Sequence, residues 1–225
     1  CADLNTDVYV KVNPGDKALS ILPMSHVYEF TIGQVLPLLQ GVEITFLGKP
    51  PAVSILLPAL SEVRPHIMLT VPLLIEKVYR SAVVPVITGN EKIKKLLKYP
   101  VLGSFVYKVI GRKILSTFGH RLKFFGIGGA PLDGEVEYFL YRAAFPYAIG
   151  YGLTETSPLI AGCGPKKSMH KLSFVGKVVE DDDVILDDKN SEGVGEILVK
   201  GPNVMQGYYL RDDLNSEVFT SDGYF

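Results

Sequence analysis

The chain contains 225 residues, of which 47% are hydrophobic and 21% charged, and its formal net charge is −1. This composition is typical of a globular protein with a substantial core, and the apolar runs are far shorter than the roughly eighteen residues of a membrane-spanning helix. Two cysteines, Cys1 and Cys163, do not make a disulfide framework, and the absence of an overall basic excess argues against binding to nucleic acid.

From residue 17 to about residue 150, short β-rich runs alternate with longer helical runs. The predicted strands are Lys17–Leu22, Glu43–Leu47, His66–Val71, Leu122–Ile127 and Ala148–Gly150. The predicted helices are Tyr28–Leu39, Ser54–Val63, Pro72–Ser81, Phe105–Thr117 and Gly134–Ala144. This repeated order predicts an α/β fold in which a mainly parallel sheet is layered with helices.

After residue 173 the pattern changes to short strands separated by acidic and glycine-containing turns. The predicted strands here are Phe174–Val179, Val184–Leu186, Glu196–Lys200 and Met205–Leu210. We therefore predict an α/β subdomain over residues 1–173 and a small β-rich subdomain over residues 174–225.

A short segment with glycine at its centre, Tyr151–Glu155, follows the strand that ends at Gly150. Open α/β sheets bind ligands at the carboxyl ends of their strands. In such a loop Tyr151 could stack on a base, Thr154 could hydrogen-bond a phosphate oxygen, and Glu155 could hold the magnesium ion of a triphosphate. The alternative is a polar turn in which Glu155 is solvated.

Three further motifs accompany this segment in a definite order along the chain. Residues 23–29 read PMSHVYE, residues 128–132 read GGAPL, and residues 195–209 contain GEILVKG and GYY. Together with YGLTE, they resemble the motifs of the adenylate-forming acyl-CoA synthetase superfamily, and most closely those of its long-chain fatty-acid CoA ligases.

The resemblance implies roles for the residues of the YGLTE segment. Thr154 and Glu155 would be catalytic, Thr154 as a ligand of the phosphate oxygens and Glu155 as the magnesium ligand. Tyr151 would stack on adenine. Gly150 would form the floor of the acyl pocket, and Gly152 would keep the turn free of a side chain.

The other two motifs are implied to line the same site. Gly128, Gly129, Ala130 and Pro131 would lie along the edge of the adenine, with a glycine-rich turn as the alternative. His26 and Phe30 would line the acid-binding part of the site. We expect His26 to orient the acid rather than remove a proton, because a carboxylic acid is already ionised at neutral pH. The alternative for His26 is a structural histidine, and His66, His120 and His170 have no partner evident from the sequence.

The implied reaction begins when a substrate carboxylate attacks the α-phosphate of ATP, and a CoA thiol then displaces AMP from the acyl-adenylate. Because carboxylate and triphosphate are both anionic, the site must supply Mg²⁺, hydrogen-bond donors and tight positioning. The expected substrate is a fatty acid, with ATP, Mg²⁺ and CoA as co-reactants. Aryl acids and amino acids are alternative substrates, and a non-catalytic ligand-binding or membrane-surface module is the alternative from another class.

The family's phosphate loop would precede residue 1, and its ribose-binding aspartate and C-terminal domain would follow residue 225. We therefore expect the chain to be a segment of a longer ligase and to be inactive alone. The expected location is the cytoplasm, and lysines and arginines that alternate with apolar residues over residues 91–123 could contact the inner face of a membrane. A solvated helix face is the alternative for that region. The acidic run between residues 181 and 188 is interpreted as a solvated turn rather than a calcium loop.

Overall fold

The computed structural model describes residues 11–225 and contains one seven-stranded sheet; Cys1 lies outside the described residues. The strands of this sheet are β1 (Lys17–Ser20), β2 (Glu43–Phe46), β3 (Ile67–Thr70), β4 (Phe124–Ile127), β5 (Tyr147–Tyr151), β6 (Ala161–Cys163) and β7 (Lys177–Val178). A separate antiparallel hairpin consists of β8 (Asp183–Asp187) and β9 (Glu196–Lys200).

Helices occupy most of the connections between the strands. In chain order they are α1 (π-helical over Glu29–Val35 and α-helical over Leu36–Leu39), α2 (Val53–Val63), α3 (Pro72–Val78, continued by Tyr79–Val83 and Val84–Thr88), α4 (Glu91–Leu97), α5 (Pro100–Thr117), α6 (Gly134–Ala143) and α7 (Asp212–Val218). Prolines begin α3 and α5, where a missing backbone N–H leaves no hydrogen bond unmade.

The strand order in the sheet is β2-β1-β3-β4-β5-β6-β7. β1 to β5 are parallel to one another, whereas β6 and β7 are added antiparallel to their neighbours. The predicted α/β class with a mainly parallel sheet is thus confirmed. In such a sheet the loops that follow the parallel strands all lie at one edge.

The two faces of the sheet pack against different helices, because successive side chains of a strand point to opposite faces. Leu19, Met68 and Phe125 belong to the main core, together with apolar residues of α2, α3, α5 and α6. Their neighbours Ala18 and Ile67 belong to a smaller cluster on the other face. That second face is covered by α1.

Several predicted elements of the second half differ from the structure. Met205–Leu210 is not a strand, because its backbone bonds to side chains and loops instead of a neighbouring strand: the Tyr208 amide donates to Asn215 Oδ1 at 2.7 Å. In the predicted strand Phe174–Val179, only Lys177–Val178 is extended, and it pairs with β6 of the main sheet. β6 and α7 were not among the elements predicted from the sequence. The subdomain division between residues 173 and 174 stays a prediction.

At the edge where β1 begins, a buried carboxylate pairs with two basic groups. Lys123 Nζ lies 2.6 Å from Asp16 Oδ2, and the amide of Asn13 donates to the same oxygen at 3.0 Å. His66 Nε2 lies 3.7 Å from Asp16 Oδ1, while its Nδ1 accepts the amide of Lys17 at 2.9 Å. His66 therefore has partners that the sequence did not reveal. Burial alone would raise the pKa of Asp16, but these donors and charges outweigh it and lower the pKa.

Replacing Asp16 with asparagine is expected to lower the free energy of unfolding at pH 7 by about 1–3 kcal/mol, because Lys123 loses its charged partner. A carboxyl group with a lowered folded-state pKa stabilises the fold above its unfolded pKa, and this contribution is lost as the pH falls through the folded pKa. Urea denaturation should therefore show a steeper loss of stability below about pH 4 in the unchanged chain than in the variant. The exposed Asp187→Asn is the control. Parallel pH profiles of the unchanged chain and Asp16→Asn would contradict the assignment.

Candidate functional site

The predicted ligand-binding loops lie at one edge of the sheet. β4 and β5 are parallel neighbours, so GGAPL at residues 128–132 and YGLTE at residues 151–155 leave adjacent strands at the same end. β1 and β3 run parallel to them, and the segment with His26 therefore leaves from this edge too. The Gly128 amide donates to the Thr70 carbonyl oxygen at 3.2 Å, which joins the ends of β3 and β4. The topology brings the two loops together, and their contact with a nucleotide stays a prediction.

A buried hydroxyl holds the YGLTE segment in a tight turn. Thr156 is fully buried, and its Oγ1 accepts the amide of Leu153 at 3.0 Å and lies 3.0 Å from the carbonyl oxygen of Pro158. Around this anchor the turn leaves Tyr151 and Thr154 exposed and Glu155 half-buried. The three side chains predicted to contact a nucleotide are thus displayed by a turn that the chain itself stabilises.

Glu155 is tied to the segment that follows β9. The phenol of Tyr208 donates to Glu155 Oε1 at 2.9 Å, and the amide of Met205 donates to the Glu155 carbonyl oxygen at 2.7 Å. Nearby, Asn203 Nδ2 donates to the Leu159 carbonyl oxygen at 2.8 Å. These contacts join residues 203–208 to the YGLTE turn and the residues after it, across more than forty residues of sequence.

The Glu155 carboxylate suits a magnesium ion that also binds substrate phosphates. Oε1 is held by Tyr208, and within residues 11–225 no hydrogen bond engages Oε2. In the same residues no three His, Cys, Asp or Glu side chains converge as a preformed metal cluster. Mg²⁺ is commonly held by one or two carboxylates together with phosphate oxygens and water, so a single half-buried glutamate fits this role.

A narrow apolar cavity lies between α1 and the strands, directly behind Gly150. Tyr28, Ile32 and Leu36 line one wall, and Phe124 and Gly150 line the other. The full lining comprises Val12, Tyr28, Ile32, Leu36, Pro37, Gln40, Ile67, Phe124, Gly126, Ile127, Ala148, Ile149, Gly150, Leu159, Gly162 and Cys163, without a charged residue. A Cβ on Gly150 would lie 2.9 Å from Leu159 Cδ1 and would narrow the cavity at the YGLTE end.

The ring of Tyr28 separates this cavity from the GGAPL loop. A Cβ on Gly126 would lie 2.7 Å from the Tyr28 Oη, and one on Gly128 would lie 3.3 Å from its Cζ, so two glycines of β4 and its loop make room for the ring. Burial, followed by the nearby Glu29, raises the pKa of the Tyr28 phenol, which is therefore neutral at physiological pH. Tyr28 is thus a neutral polar group in a cavity whose lining is mostly apolar.

His26 and Phe30 lie outside the lining of this cavity. Both are exposed, and His26 Nδ1 accepts the amide of Tyr28 at 3.2 Å, which fixes its ring at the start of α1. The cavity is instead lined by Tyr28, just before α1, and by Ile32, Leu36 and Pro37 of α1. A substrate-binding role for His26 and Phe30 stays a prediction, confined to the surface of the site.

The GGAPL loop exposes only glycine, alanine and proline residues to the solvent at positions 129–131. Gly129, Ala130 and Pro131 are exposed, whereas Gly128 is buried beneath the Tyr28 ring. Gly129 has φ +84°, a left-handed conformation that glycine adopts without strain. The exposed part of the loop therefore has no large or charged side chain, as an adenine-edge role would require.

A mutation of Tyr208 tests whether this residue positions Glu155. In Tyr208→Phe the Glu155 carboxylate loses its fixed donor, and we expect the affinity for Mg²⁺·ATP to fall about fivefold with an unchanged fold. Isothermal titration in a protein that contains this chain is the measurement. The neighbouring Tyr209→Phe, at an 89% exposed residue with no hydrogen bond in the described part of the chain, is the matched control. Equal affinities of the two variants would exclude the positioning role.

Two further polar groups have partners that the sequence did not reveal. His170 stacks on Tyr147, with Nε2 3.0 Å from the Tyr147 carbonyl oxygen and Nδ1 3.3 Å from Cys163 Sγ. Burial lowers the pKa of His170 and raises that of Cys163, so both are neutral. In the acidic run, Asp182 is half-buried and accepts a hydrogen bond from Asn203 at 2.9 Å, so the run is not a uniformly solvated turn.

The basic region over residues 91–123 forms α4, α5 and the approach to β4. Lys94 pairs with Glu91 at 2.6 Å and Lys123 pairs with Asp16, while the other lysines and arginines of the region are exposed. Among the helices of residues 11–225, none is both long enough and apolar enough to cross a membrane. Membrane contact through this region stays a prediction.

Comparisons with known proteins found similar sequences and structures. A family model described as AMP-binding enzyme matches residues 1–209. A peroxisomal long chain acyl-CoA synthetase 7 of Arabidopsis thaliana is 29% identical over 232 residues, which is 94% of this chain and 33% of that protein. A 2-succinylbenzoate–CoA ligase of Bacillus velezensis is 39% identical over 103 residues, covering 44% of this chain and 21% of the ligase.

A solved structure shows the same fold over the whole chain. This structure, the o-succinylbenzoate coenzyme A synthetase of Bacillus subtilis in complex with ATP and a magnesium ion, has a TM-score of 0.69 at 20% identity. The match covers 100% of this chain and 40% of that one. The chain thus spans about a third of the length of the long-chain relatives that it matches.

Proposed function

Because the chain belongs to the AMP-binding enzyme family, we propose that it is the part of an AMP-forming fatty-acid CoA ligase that holds the acyl group and the adenine. The observation that carries this proposal is the position of Gly150. Gly150 lines the apolar cavity and also begins the turn that displays Tyr151, Thr154 and Glu155. An acyl chain in the cavity would thus have its carboxylate beside the residues proposed to hold ATP.

The residues of the site would bring two anions together. Thr154 is exposed at the turn and would donate its hydroxyl to a phosphate oxygen, while Tyr151 would stack on the adenine. Glu155, aimed by Tyr208, would hold Mg²⁺, which when bound neutralises phosphate charge during the displacement of pyrophosphate. The neutral phenol of Tyr28, which lines the cavity beside the GGAPL loop, would orient the substrate carboxylate without repelling it.

The cavity favours a fatty acid over the acids of related ligases. Its lining has no charged residue, so a second carboxylate, as in 2-succinylbenzoate, or the ammonium of an amino acid would be buried without a counter-charge. Burying an unpaired charge costs far more than burying methylene groups. A monocarboxylic acid with an apolar chain avoids this cost.

The test is a panel of acids in a pyrophosphate-release assay on the longer protein that contains this chain. Palmitate and octanoate should support release in the presence of ATP and Mg²⁺, whereas 2-succinylbenzoate and phenylalanine should not. Release with 2-succinylbenzoate alone would leave the ligase assignment intact and overturn the fatty-acid assignment. If no acid supports pyrophosphate release, both the ligase assignment and the fatty-acid assignment are overturned.

We also propose that the protein acts in the cytoplasm. A separate proposal is that residues 1–225 alone do not turn over substrate. The turn after β5 offers one hydroxyl and one carboxylate to a triphosphate. These are few polar groups for so highly charged a ligand. The isolated chain should therefore bind the fatty acid but release no pyrophosphate. Release by the isolated chain would contradict this part of the proposal.

A further inference from the structure

A second and larger apolar groove lies among the helices on the other face of the sheet. Its volume is about 1040 Å³, and it is lined by α2, α3, α4 and α5 and by residues beside them. Its floor consists of side chains that also belong to the main core, namely Leu56, Leu60, Val106, Ile110 and Ile114. Small-molecule sites typically enclose roughly 300–1,000 Å³, so the groove is large enough for a sizeable ligand.

The rim of the groove exposes large apolar side chains to solvent. Leu73 is 58% exposed, Phe105 65% and Val109 47%, and all three line the groove. The floor and rim together form one continuous apolar surface. Contiguous apolar surface of this kind is uncommon on soluble proteins and marks ligand or partner sites.

The charges of the groove are of one sign only. Lys77 and Lys113 are its charged lining residues, and no carboxylate lines it. Within residues 11–225 neither lysine takes part in an ion pair, in contrast to Lys94, which pairs with Glu91. An apolar trough with unpaired cations complements a ligand that has a long apolar chain and an anionic head group.

We propose that this groove binds one molecule of a long-chain fatty acid, with the alkyl chain along the floor and the carboxylate at Lys77 and Lys113. The site is separate from the acyl cavity, because α1 covers one face of the sheet and α2 to α5 cover the other. It contains none of the residues that would hold ATP. The proposal therefore stands independently of the ligase function, and its test needs neither ATP nor CoA.

The first test maps the bound chain directly. The purified chain is irradiated with palmitate that carries a diazirine on its alkyl chain, and the labelled peptides are identified by mass spectrometry. We expect saturable labelling of peptides within residues 73–86 and 105–118, which unlabelled palmitate suppresses. Labelling confined to the acyl cavity, at residues 28–40 and 148–163, would overturn the proposal.

Variants of the groove test the roles of charge and shape. The double change Lys77→Glu and Lys113→Glu should weaken groove labelling by about tenfold or more. The matched control is Lys92→Glu with Lys95→Glu, which changes the net charge equally on exposed residues outside the lining, and it should retain labelling. Ala82→Trp, at an exposed lining residue, should block the groove without touching either lysine. Equal labelling of all these proteins would overturn the proposal.

Other occupants of the groove give different results. Binding to phosphatidylglycerol vesicles without labelling by monomeric palmitate would identify a membrane-docking face. A dimer in sedimentation that dissociates in Ala82→Trp would identify a second copy of the chain. Protection of the groove by flanking sequence in a longer form of the protein would identify another segment as its cover. Each of these results would overturn the fatty-acid site.

Discussion

Replacing Glu155 with glutamine is expected to lower pyrophosphate release about 100-fold in a protein that contains this chain. Glutamine has the same shape, and its carbonyl oxygen can accept the Tyr208 hydrogen bond that Glu155 Oε1 accepts at 2.9 Å. The variant therefore removes one negative charge while the turn is retained. A neutral amide is a poor ligand for Mg²⁺, which prefers carboxylate and phosphate oxygens.

A magnesium titration distinguishes loss of the ion from loss of the fold. At saturating ATP the variant should need a higher Mg²⁺ concentration for half-maximal release, while its melting temperature stays that of the unchanged protein. Glu180→Gln, which removes a charge from an exposed residue outside the site, should change neither quantity. Full activity of Glu155→Gln at every Mg²⁺ concentration would exclude Glu155 as the ligand of the ion.

The edge of the sheet that carries the site could be predicted from the sequence because local signals define it. The predicted strands Leu122–Ile127 and Ala148–Gly150 each led into a glycine-containing motif. They correspond to β4, which ends before Gly128, and to β5, which ends at Tyr151. Parallel pairing then places the two loops side by side, since parallel strands share their carboxyl edge. Both loops can therefore be placed without knowledge of any contact between residues that are distant in the sequence.

The contact between Tyr208 and Glu155 could not be predicted in this way. The two residues are 53 positions apart, and nothing local indicates which tyrosine of the GYY motif turns inward. Residues 205–210 include apolar and aromatic side chains, a composition that is typical of a strand. In the structure the Met205 amide instead donates a hydrogen bond to the Glu155 carbonyl oxygen, and the Tyr208 amide donates one to Asn215. These tertiary contacts outweigh the local preference for a strand.

Several residues that line the apolar cavity behind Gly150 follow a helical spacing that is visible in the sequence. Tyr28, Ile32 and Leu36 recur every four residues, which places them along one side of α1. Phe30 is two residues from both Tyr28 and Ile32, and such a spacing puts a helical side chain on the opposite side. The exposure of Phe30 follows from this geometry. Helical periodicity thus identifies which residues of this region face the cavity, whereas the motif resemblance named His26 and Phe30, whose substrate-binding role stays a prediction.

Gly152→Ala is expected to destabilise the chain even without a nucleotide. A Cβ at this position would overlap the carbonyl oxygen of Pro158 and lie 2.7 Å from its carbonyl carbon and 3.0 Å from Leu159 Cα. These are backbone atoms of a turn that Thr156 anchors, so they cannot move aside as a flexible side chain could. Rebuilding such a turn costs about 3 kcal/mol or more, which lowers the melting temperature by about 6–12 °C in a chain of this size.

Gly134→Ala is the matched control for this prediction, because the same methyl group meets no atom within 4 Å at the start of α6. Alanine restricts the unfolded chain more than glycine does, so this control should melt at the same or a slightly higher temperature. The comparison decides between two reasons for the glycine in YGLTE. A fall in melting temperature without ligand shows that the turn itself excludes a side chain. An unchanged melting temperature with weaker ATP binding would instead show that the nucleotide occupies the space, and would contradict the role of the Pro158 carbonyl argued from the structure.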